Sequence, residues 1–330
     1  MNVMLTCAGR RNYLVQFFQQ ALRGRGEVFA GDSCGEAPAL QQADRAFVLP
    51  TLSDPAYLDR LVAICERHRV RLLIPLNDLE LPHLARHAAR FLEVGTIPLI
   101  SSPEVVEICS DKWETSRFLR ISDLKSPETY LSLADAREAV LRGETSFPLL
   151  IKPRWGSASI GIDDCEDDQE LELAHVLATK RIPRTFLRDG IVIQKRLAGS
   201  EYGLDVLNDL DGRYQCTFVR QKLAMRAGET DRAVTVRSER LERIGEVIGR
   251  RLGHVGILDC DAIATEGGCY VIDMNPRFGG GYPFSHVAGA NLPAVLIAWA
   301  NRERPDPSWL KVEPDVVASK YDRLAVVESR

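Results

Sequence analysis

The 330-residue chain has no paired cysteines of the C-x-x-C kind; its eight cysteines, at 7, 34, 65, 109, 165, 216, 260 and 269, stand singly. That excludes a disulfide scaffold and a zinc knuckle, which need clustering, and leaves the thiols as small buried apolar fillers. No apolar run approaches the roughly 18 residues that would span a bilayer, so no membrane partner is expected. One stretch mimics an export signal: Arg10-Arg11 followed by Tyr13, Leu14, Val15, Phe17 and Phe18. Gln16, Gln19, Gln20, Arg23 and Arg25 interrupt it, which makes it an amphipathic helix instead. A basic excess is also missing. The 42 Lys and Arg against 46 Asp and Glu give a net charge of −4, with no field suited to nucleic acid. Internal repeats and low-complexity segments are absent. With 45% hydrophobic and 27% charged residues, the chain is expected to be soluble and cytoplasmic, and long enough for two or three domains.

What is present begins with strand–helix alternation. Residues 1–8 read as a buried strand running into Gly9-Arg10-Arg11, and Leu14, Phe17, Phe18, Ala21 and Leu22 follow at helical spacing. A second strand is expected at 27–32, a helix with Leu58, Leu61, Val62 and Cys65 on one face, and a third strand at 70–76. Short connections in that order predict a parallel sheet flanked by helices. Ligands of such sheets gather beyond the carboxyl ends of the strands, so residues 9–11, Asp32 and residues 77–80 are expected to face one cleft. Near Ser101-Ser102-Pro103 the pattern changes to α+β. A helical stretch is expected at 103–120, strands at 147–153, 191–194 and 202–207, and a helix carrying Leu241, Ile244, Ile248 and Leu252. A late hairpin of strands 256–264 and 269–275 turns at Glu266-Gly267-Gly268. The last 25 or so residues carry too little pattern for an assignment.

The late hairpin carries the strongest chemical signal. Asp273 and Asn275 sit two apart on a strand and leave by one face, and Asp261 lies on the preceding strand. Two carboxylates and an amide oxygen suit a hard cation such as Mg²⁺; the same pattern fits a solvated strand end with Asp259 and Asp261 exposed. Arg277 and a flexible-looking Gly279-Gly280-Gly281 follow. Earlier, Lys152 interrupts an apolar strand ahead of Gly156, Ser157, Ser159 and Gly161. A buried lysine must be paired or face an anion, and a Gly/Ser loop can offer N–H groups and hydroxyls to phosphate; alternatively Lys152 snorkels to the surface beside a plain turn. Ser110-Asp111-Lys112 opens a helix capped by Asp111. The run Ile191-Val192-Ile193-Gln194-Lys195 leads to Gly199-Ser200-Glu201, a hinge whose backbone could bond an adenine ring. The pair His83 and His87 lies on an amphipathic stretch without H-E-x-x-H, so both read as structural.

The order Lys112, Lys152 with its loop, Gln194 to Glu201, Asp261, then Asp273-Met274-Asn275-Pro276-Arg277 resembles the ATP-grasp superfamily, nearest its carbamoyl-phosphate-synthase-like branch, which includes amino-acid ligases. The segments FPLLIKPRWGSASIGI, IVIQKRLAGSEYGLDVL and YVIDMNPRFGGGYPFSHVAGANLP carry the likeness, and IPLNDLEL resembles the domain preceding ATP-grasp there. The resemblance implies a Rossmann-like pre-ATP-grasp domain at 1–102, a small lid-bearing lobe at 103–190 and a metal-bearing lobe at 191–330. It implies ATP and Mg²⁺, with Lys112, Lys152, Ser157, Ser159 and Gly161 on the phosphates, Gln194, Lys195 and Leu197 at the adenine and Glu201 at the ribose. Asp261, Asp273 and Asn275 would take the metal, and Arg277 the transferring phosphoryl group. Two departures stand out: Asp273 occupies a position usually held by glutamate, and the loop reads Gly-Ser-Ala-Ser rather than glycine-dense.

The implied reaction is an ADP-forming ligation of a carboxylate and an amine through an acyl phosphate, with small-molecule partners and a homodimer left open. For an amino-acid-like substrate, Arg10 or Arg11 would take the carboxylate and Asp78 or Glu80 the amine; these residues fit a surface ion network equally. Arg220, Lys222 and Arg226 form a basic strand that either faces the reacting carboxylate or is solvated. Phosphorylation of bicarbonate or carbamate is the alternative within the same chemistry, and a non-catalytic ATP-binding module the alternative outside it. A dinucleotide oxidoreductase, suggested by Asp32 about 20 residues past the first turn, lacks the G-x-G-x-x-G motif.

Overall fold

The computed structural model describes residues 1–156, 161–182 and 190–327, so Ser157 and Ser159 lie outside the described residues. The first sheet is fully parallel, with strands β1 (Asn2–Thr6), β2 (Val28–Asp32), β3 (Arg45–Val48), β4 (Val70–Pro75) and β5 (Ile97–Pro98) in the order β3-β2-β1-β4-β5. Strands β1, β2 and β4 are buried nearly throughout, as helices on both faces require. The helix Asn12–Leu22 turns Leu14, Val15, Phe18 and Leu22 to the sheet, matching its 3.6-residue spacing. The expected parallel sheet is therefore present, with β3 and β5 added as short edges. Their few residues carry no alternation that could have marked them.

The second sheet contains β6 (Thr129–Tyr130), β7 (Leu149–Pro153), β8 (Asp163–Cys165) and β9 (Ile191–Lys195), all antiparallel, in the order β6-β9-β7-β8. It has its own core, in which Leu149, Ile151 and Ile193 meet Ala136 and Leu171 of the covering helices. The third sheet is also antiparallel. It orders as β14-β13-β10-β11-β12-β15, from β10 (Ser200–Asn208), β11 (Tyr214–Arg226), β12 (Glu229–Val236), β13 (Ile257–Thr265), β14 (Gly268–Asn275) and β15 (Val317–Ser319). One of its faces packs on the helix Glu239–Leu252 and on Val105, Cys109, Phe118 and Leu119 of the helices Pro103–Ser110 and Lys112–Ile121.

The sheets divide the chain differently from limits at 103–190 and 191–330. Strand β9 pairs with β7 and β6, and the two helices after residue 102 pack on the third sheet. The first sheet is not a detached unit either. Phe18 meets Phe278 edge-on at 6.1 Å, and Phe278 meets Tyr282 at 4.9 Å, within one core that also holds Leu5 and Ile257. That shared core fixes the carboxyl ends of β1, β2 and β4 against the segment after β14. At those ends Gly9 N–H donates to Asp32 Oδ2 at 2.8 Å. Of the weakly patterned tail, β15 adds to the edge of β12. Among the described residues no helix is long and apolar enough to cross a membrane.

Candidate active site

The site is built on one face of the third sheet. Asp261 lies opposite Asp273, and Asp259 opposite Asn275; directly opposed residues point the same way, so four polar side chains share that face. On β10, Gly203 is opposite both Asp261 and Arg220, and Asp205 is opposite Asp259. The glycine is a matter of space. A Cβ there would lie 2.7 Å from Arg220 Nη2, so its absence lets the guanidinium cross β10 to reach β13. Lys222, two residues on, crosses likewise, and its Nζ stands 2.7 Å from Asp261 Oδ1 and 4.0 Å from Glu201 Oε2.

Charges buried this deeply survive because each has a partner. Arg220 contacts Asp205 Oδ2 at 2.7 Å and Asp259 Oδ1 at 3.0 Å, and is 1% exposed. Burial alone would raise the Asp259 pKa, but Arg220, Arg277, Lys222 and Arg11 hold it below its ordinary value. Asp261 goes the other way. Burial raises it, Asp259 adds to the rise, and Lys222 only partly offsets them. Arg277 pairs with Asp78 at 2.8 Å and Asp259 at 3.4 Å, which ties the end of β4 to the end of β14. The glycine run beyond it is packed rather than loose. A Cβ at Gly279 would lie 2.1 Å from the Asp259 carboxyl carbon, and one at Gly281 2.2 Å from Arg220 Nη2.

Lys152 approaches from the second sheet. It sits on β7, is 7% exposed, and makes no hydrogen bond or ion pair among the described residues. Burial pushes its pKa down to about 8, opposed by Asp273 and reinforced by Lys112. The helix Lys112–Ile121 starts on Arg154 O at the end of β7 and packs through Phe118 and Leu119 on Val271 and Met274 of β14, which brings the two sheets together here. Lys112 donates to Gly156 O at 2.6 Å, at the edge of the Gly/Ser loop. Asp111 caps the helix Lys112–Ile121 and meets Arg154 Nη2 at 2.7 Å, which fixes the helix start against the end of β7. At the expected adenine hinge, buried Gln194 donates from Nε2 to Thr129 Oγ1 at 2.8 Å. Lys195 Nζ donates to Ser146 O at 2.7 Å, Leu197 is half-buried, and Glu201 is 46% exposed.

The expected substrate residues separate. Arg10 and Arg11 line a cleft of about 700 Å³ between the first sheet, the β11–β12 turn and the segment after β15. Arg11 donates to Phe278 O at 2.9 Å. Arg226 lies in the same cleft, paired with Asp231 at 2.9 Å and Asp322 at 2.6 Å. Glu80, by contrast, is 0% exposed and turned inward; it accepts from Thr6 Oγ1 at 2.9 Å and Tyr57 OH at 2.5 Å, and burial raises its pKa to about 7. An incoming ammonium cannot reach it. Asp78 is engaged by Arg277, and Arg220 lies beneath the surface on its two carboxylates, so neither faces the cleft as a free group. The reading of Asp259 and Asp261 as exposed strand residues does not hold either. Sequence reasoning also missed Asp205 and Glu229; for Asp205 the available signal was Glu201 and Asp205 on one face of strand 200–208.

Asp261, Asp273 and Asn275 offer two carboxylates and an amide, with Asn275 Nδ2 donating to Asp273 Oδ2 at 3.2 Å. Among the described residues no group of three His, Cys, Asp or Glu forms a metal cage by itself. Such a partial donor set fits Mg²⁺, which keeps water and phosphate oxygens in its shell. His87 Nδ1 lies 2.9 Å from His83 O.

Residues 109–281 match the ATP-grasp domain family, and residues 3–100 match the family described as PylC-like, N-terminal domain. The carbamoyl phosphate synthase large chain of Helicobacter pylori is 24% identical over 255 residues, covering 73% of this chain and 23% of that one. The D-alanine–D-alanine ligase of Streptococcus uberis is 25% identical over 201 residues, 56% of this chain and 57% of that one. The chain thus spans about a quarter of the first relative and just over half of the second. Among solved structures, the biotin carboxylase of Campylobacter jejuni superposes with a TM-score of 0.74 at 15% identity, covering 94% of this chain and 73% of that one. The L-amino acid ligase of Bacillus licheniformis gives a TM-score of 0.67 at 21% identity, covering 94% and 77%.

Proposed function

Because the chain belongs to the ATP-grasp family, we propose that it is an ADP-forming ligase that joins a carboxylate to an amine, with an amino-acid-like substrate. The observation that carries the reading is that Lys152 is buried with no side-chain hydrogen bond or ion pair among the described residues, while Asp261, Asp273 and Asn275 share one face of the third sheet. A buried lysine lacking a carboxylate is set for an anion, and the facing carboxylates are set for the cation that accompanies a triphosphate. Asp261, Asp273 and Asn275 would hold Mg²⁺, which would neutralise charge on the phosphates.

The residues of the chain have the remaining tasks. Lys152 and Lys112 bind phosphate oxygens, the 194–197 segment takes the adenine, and exposed Glu201 accepts from a ribose hydroxyl. Arg277, held by Asp78 and Asp259, steadies the transferring phosphoryl group. The substrate carboxylate attacks the γ-phosphorus, giving an acyl phosphate and ADP. The amine then displaces phosphate to form an amide and loses its proton to solvent. Catalysis of both steps is mainly positioning and electrostatics.

The test is ADP release from MgATP with paired carboxylates and amines. Turnover is expected only when both are present, and to fall at least about 100-fold in Lys152→Ala and Asp273→Ala. Activity surviving both substitutions, or no turnover with any pair, overturns the reading. A second reading, bicarbonate as phosphate acceptor, is favoured by the longer match to the carbamoyl phosphate synthase chain; bicarbonate in the same panel separates the two.

A further inference from the structure

The 700 Å³ cleft has charges of both signs on its walls, and one ion pair of the chain, Glu229 with Lys320, lies within it. Glu229 opens β12 directly after a tight turn in which Ala227 and Gly228 have φ of 49° and 77°. The turn sets its carboxylate beside Gly280, where a Cβ would lie 3.3 Å from it. Gly280 follows Gly279, which rests on Asp259, the partner of Arg277. Glu229, its side chain 44% exposed, therefore lines the cleft close to the glycine segment that follows Arg277.

The cation on Glu229 comes from the chain itself. Lys320 Nζ lies 3.0 Å from Glu229 Oε2. Lys320 belongs to the strap that follows β15, a three-residue edge strand, and among the described residues the strap's remaining ties to the hairpin are few. Lys320 N–H donates to Asp231 O at 2.8 Å, and Asp322 pairs with Arg226 at 2.6 Å. Elsewhere in the cleft, exposed Arg10 makes no ion pair or hydrogen bond among the described residues, and Arg11 spends one nitrogen on Phe278 O. Glu229 lies within the field of both arginines.

We propose that the cleft binds the amine substrate as a free amino acid, its ammonium on Glu229 and its carboxylate on Arg10, and that Lys320 fills the ammonium position until the substrate displaces it. The inference rests on the ligase reading for the fate of the amine, but the binding it asserts stands apart from turnover. A lysine ammonium and an α-ammonium make the same hydrogen bonds to a carboxylate, so exchange of one for the other keeps the Glu229 carboxylate paired. The weak strand β15 makes the displacement mechanically cheap.

Calorimetry on the full chain loaded with MgADP tests it, with the twenty standard L-amino acids as probes, followed by the methyl ester and the deaminated acid of the best binder. At least one amino acid is expected to bind. Both analogues, Glu229→Gln and Arg10→Ala are each expected to weaken binding at least tenfold. Lys320→Ala is expected to tighten it at least threefold, an improvement that loss of a merely structural contact would not produce. No binding to the wild type and to Lys320→Ala, or affinities unchanged in Glu229→Gln and Lys320→Ala, overturns the inference. Binding with these responses but no ADP release with any carboxylate overturns the ligase reading and leaves the subsite standing.

Discussion

Arg220 Nη1 lies 2.7 Å from Asp205 Oδ2, and neither side chain reaches solvent. Ser285 Oγ donates to the same Asp205 oxygen at 2.5 Å, so the carboxylate is held from two sides. Removing one charge leaves the other buried against an incomplete set. Asp205→Ala is expected to destabilise the protein by about 3–5 kcal/mol, measured by urea denaturation. Asp205→Leu combined with Arg220→Met is expected to lose less than Asp205→Ala alone, because no bare guanidinium remains, although Asp259 then loses one of its cations. A double variant less stable than the single would show that the pair itself, rather than its completeness, holds the strands.

In the proposed site, Lys152 and nucleotide binding should be linked through a proton. Burial holds Lys152 to about 8, against an ordinary 10.5, so at pH 8 about half of the free protein has it neutral. A triphosphate against the ammonium would restore the higher value, and binding would take up the difference. Calorimetry at pH 8 in two buffers of different ionisation enthalpy is expected to read uptake of about half a proton per MgATP. Lys152→Met should bind more weakly and without that uptake; the same uptake in the variant would assign the proton elsewhere. In folding, the depressed value means the unfolded chain holds the extra proton between pH 8 and 10.5, so this residue's contribution makes stability rise with pH across that window. Below about pH 8 its penalty is constant.

The parallel sheet was legible because β1, β2 and β4 are apolar on both faces and Leu14 and Phe18 keep helical spacing. The Asp273–Asn275 pair was legible for an equally local reason: residues two apart on a strand share a face. What escaped depended on distant partners. Arg220 reads as an open basic strand residue until Gly203, on the neighbouring strand, is seen to clear its path to Asp259. Glu80 reads as a strand-end carboxylate for the cleft, and only the placement of Tyr57 and Thr6 shows that it points inward. Strand β15 exists by pairing with an edge, and three residues hold no periodicity.

Glu80 carries a stability signature of its own. Burial raises it from 4.5 to about 7, against the opposing hydrogen bonds of Tyr57, Thr6 and Cys7. Between those values the folded state holds a proton that the unfolded chain has lost, so stability falls as pH rises from about 4.5 to 7 and the loss is complete above it. The contribution is on the order of 3 kcal/mol. Glu80→Gln keeps the volume and removes the charge. Urea midpoints at pH 5 and pH 8 should lie closer together in the variant than in the wild type, and an equal separation in both would remove Glu80 as the cause.

Gly279 and Gly281 are expected to be intolerant for reasons of space alone. Neither has a positive φ, so alanine meets no backbone strain there, yet its methyl would fall 2.1 Å from the Asp259 carboxyl carbon or 2.2 Å from Arg220 Nη2. Those groups cannot swing aside without breaking the Arg220–Asp259–Arg277 chain of ion pairs. Gly279→Ala and Gly281→Ala are each expected to cost about 1–3 kcal/mol through overpacking. Gly35→Ala, whose methyl would meet only Val48 at 3.5 Å, should stay within about 0.5 kcal/mol of wild type. Turnover separates the two glycines further. Gly279→Ala displaces the carboxylate that holds Arg277, so its kcat should fall more than its stability loss explains when assayed well below the melting temperature. A kcat tracking only the folded fraction would mean that Asp259 does not position Arg277 for the phosphoryl group.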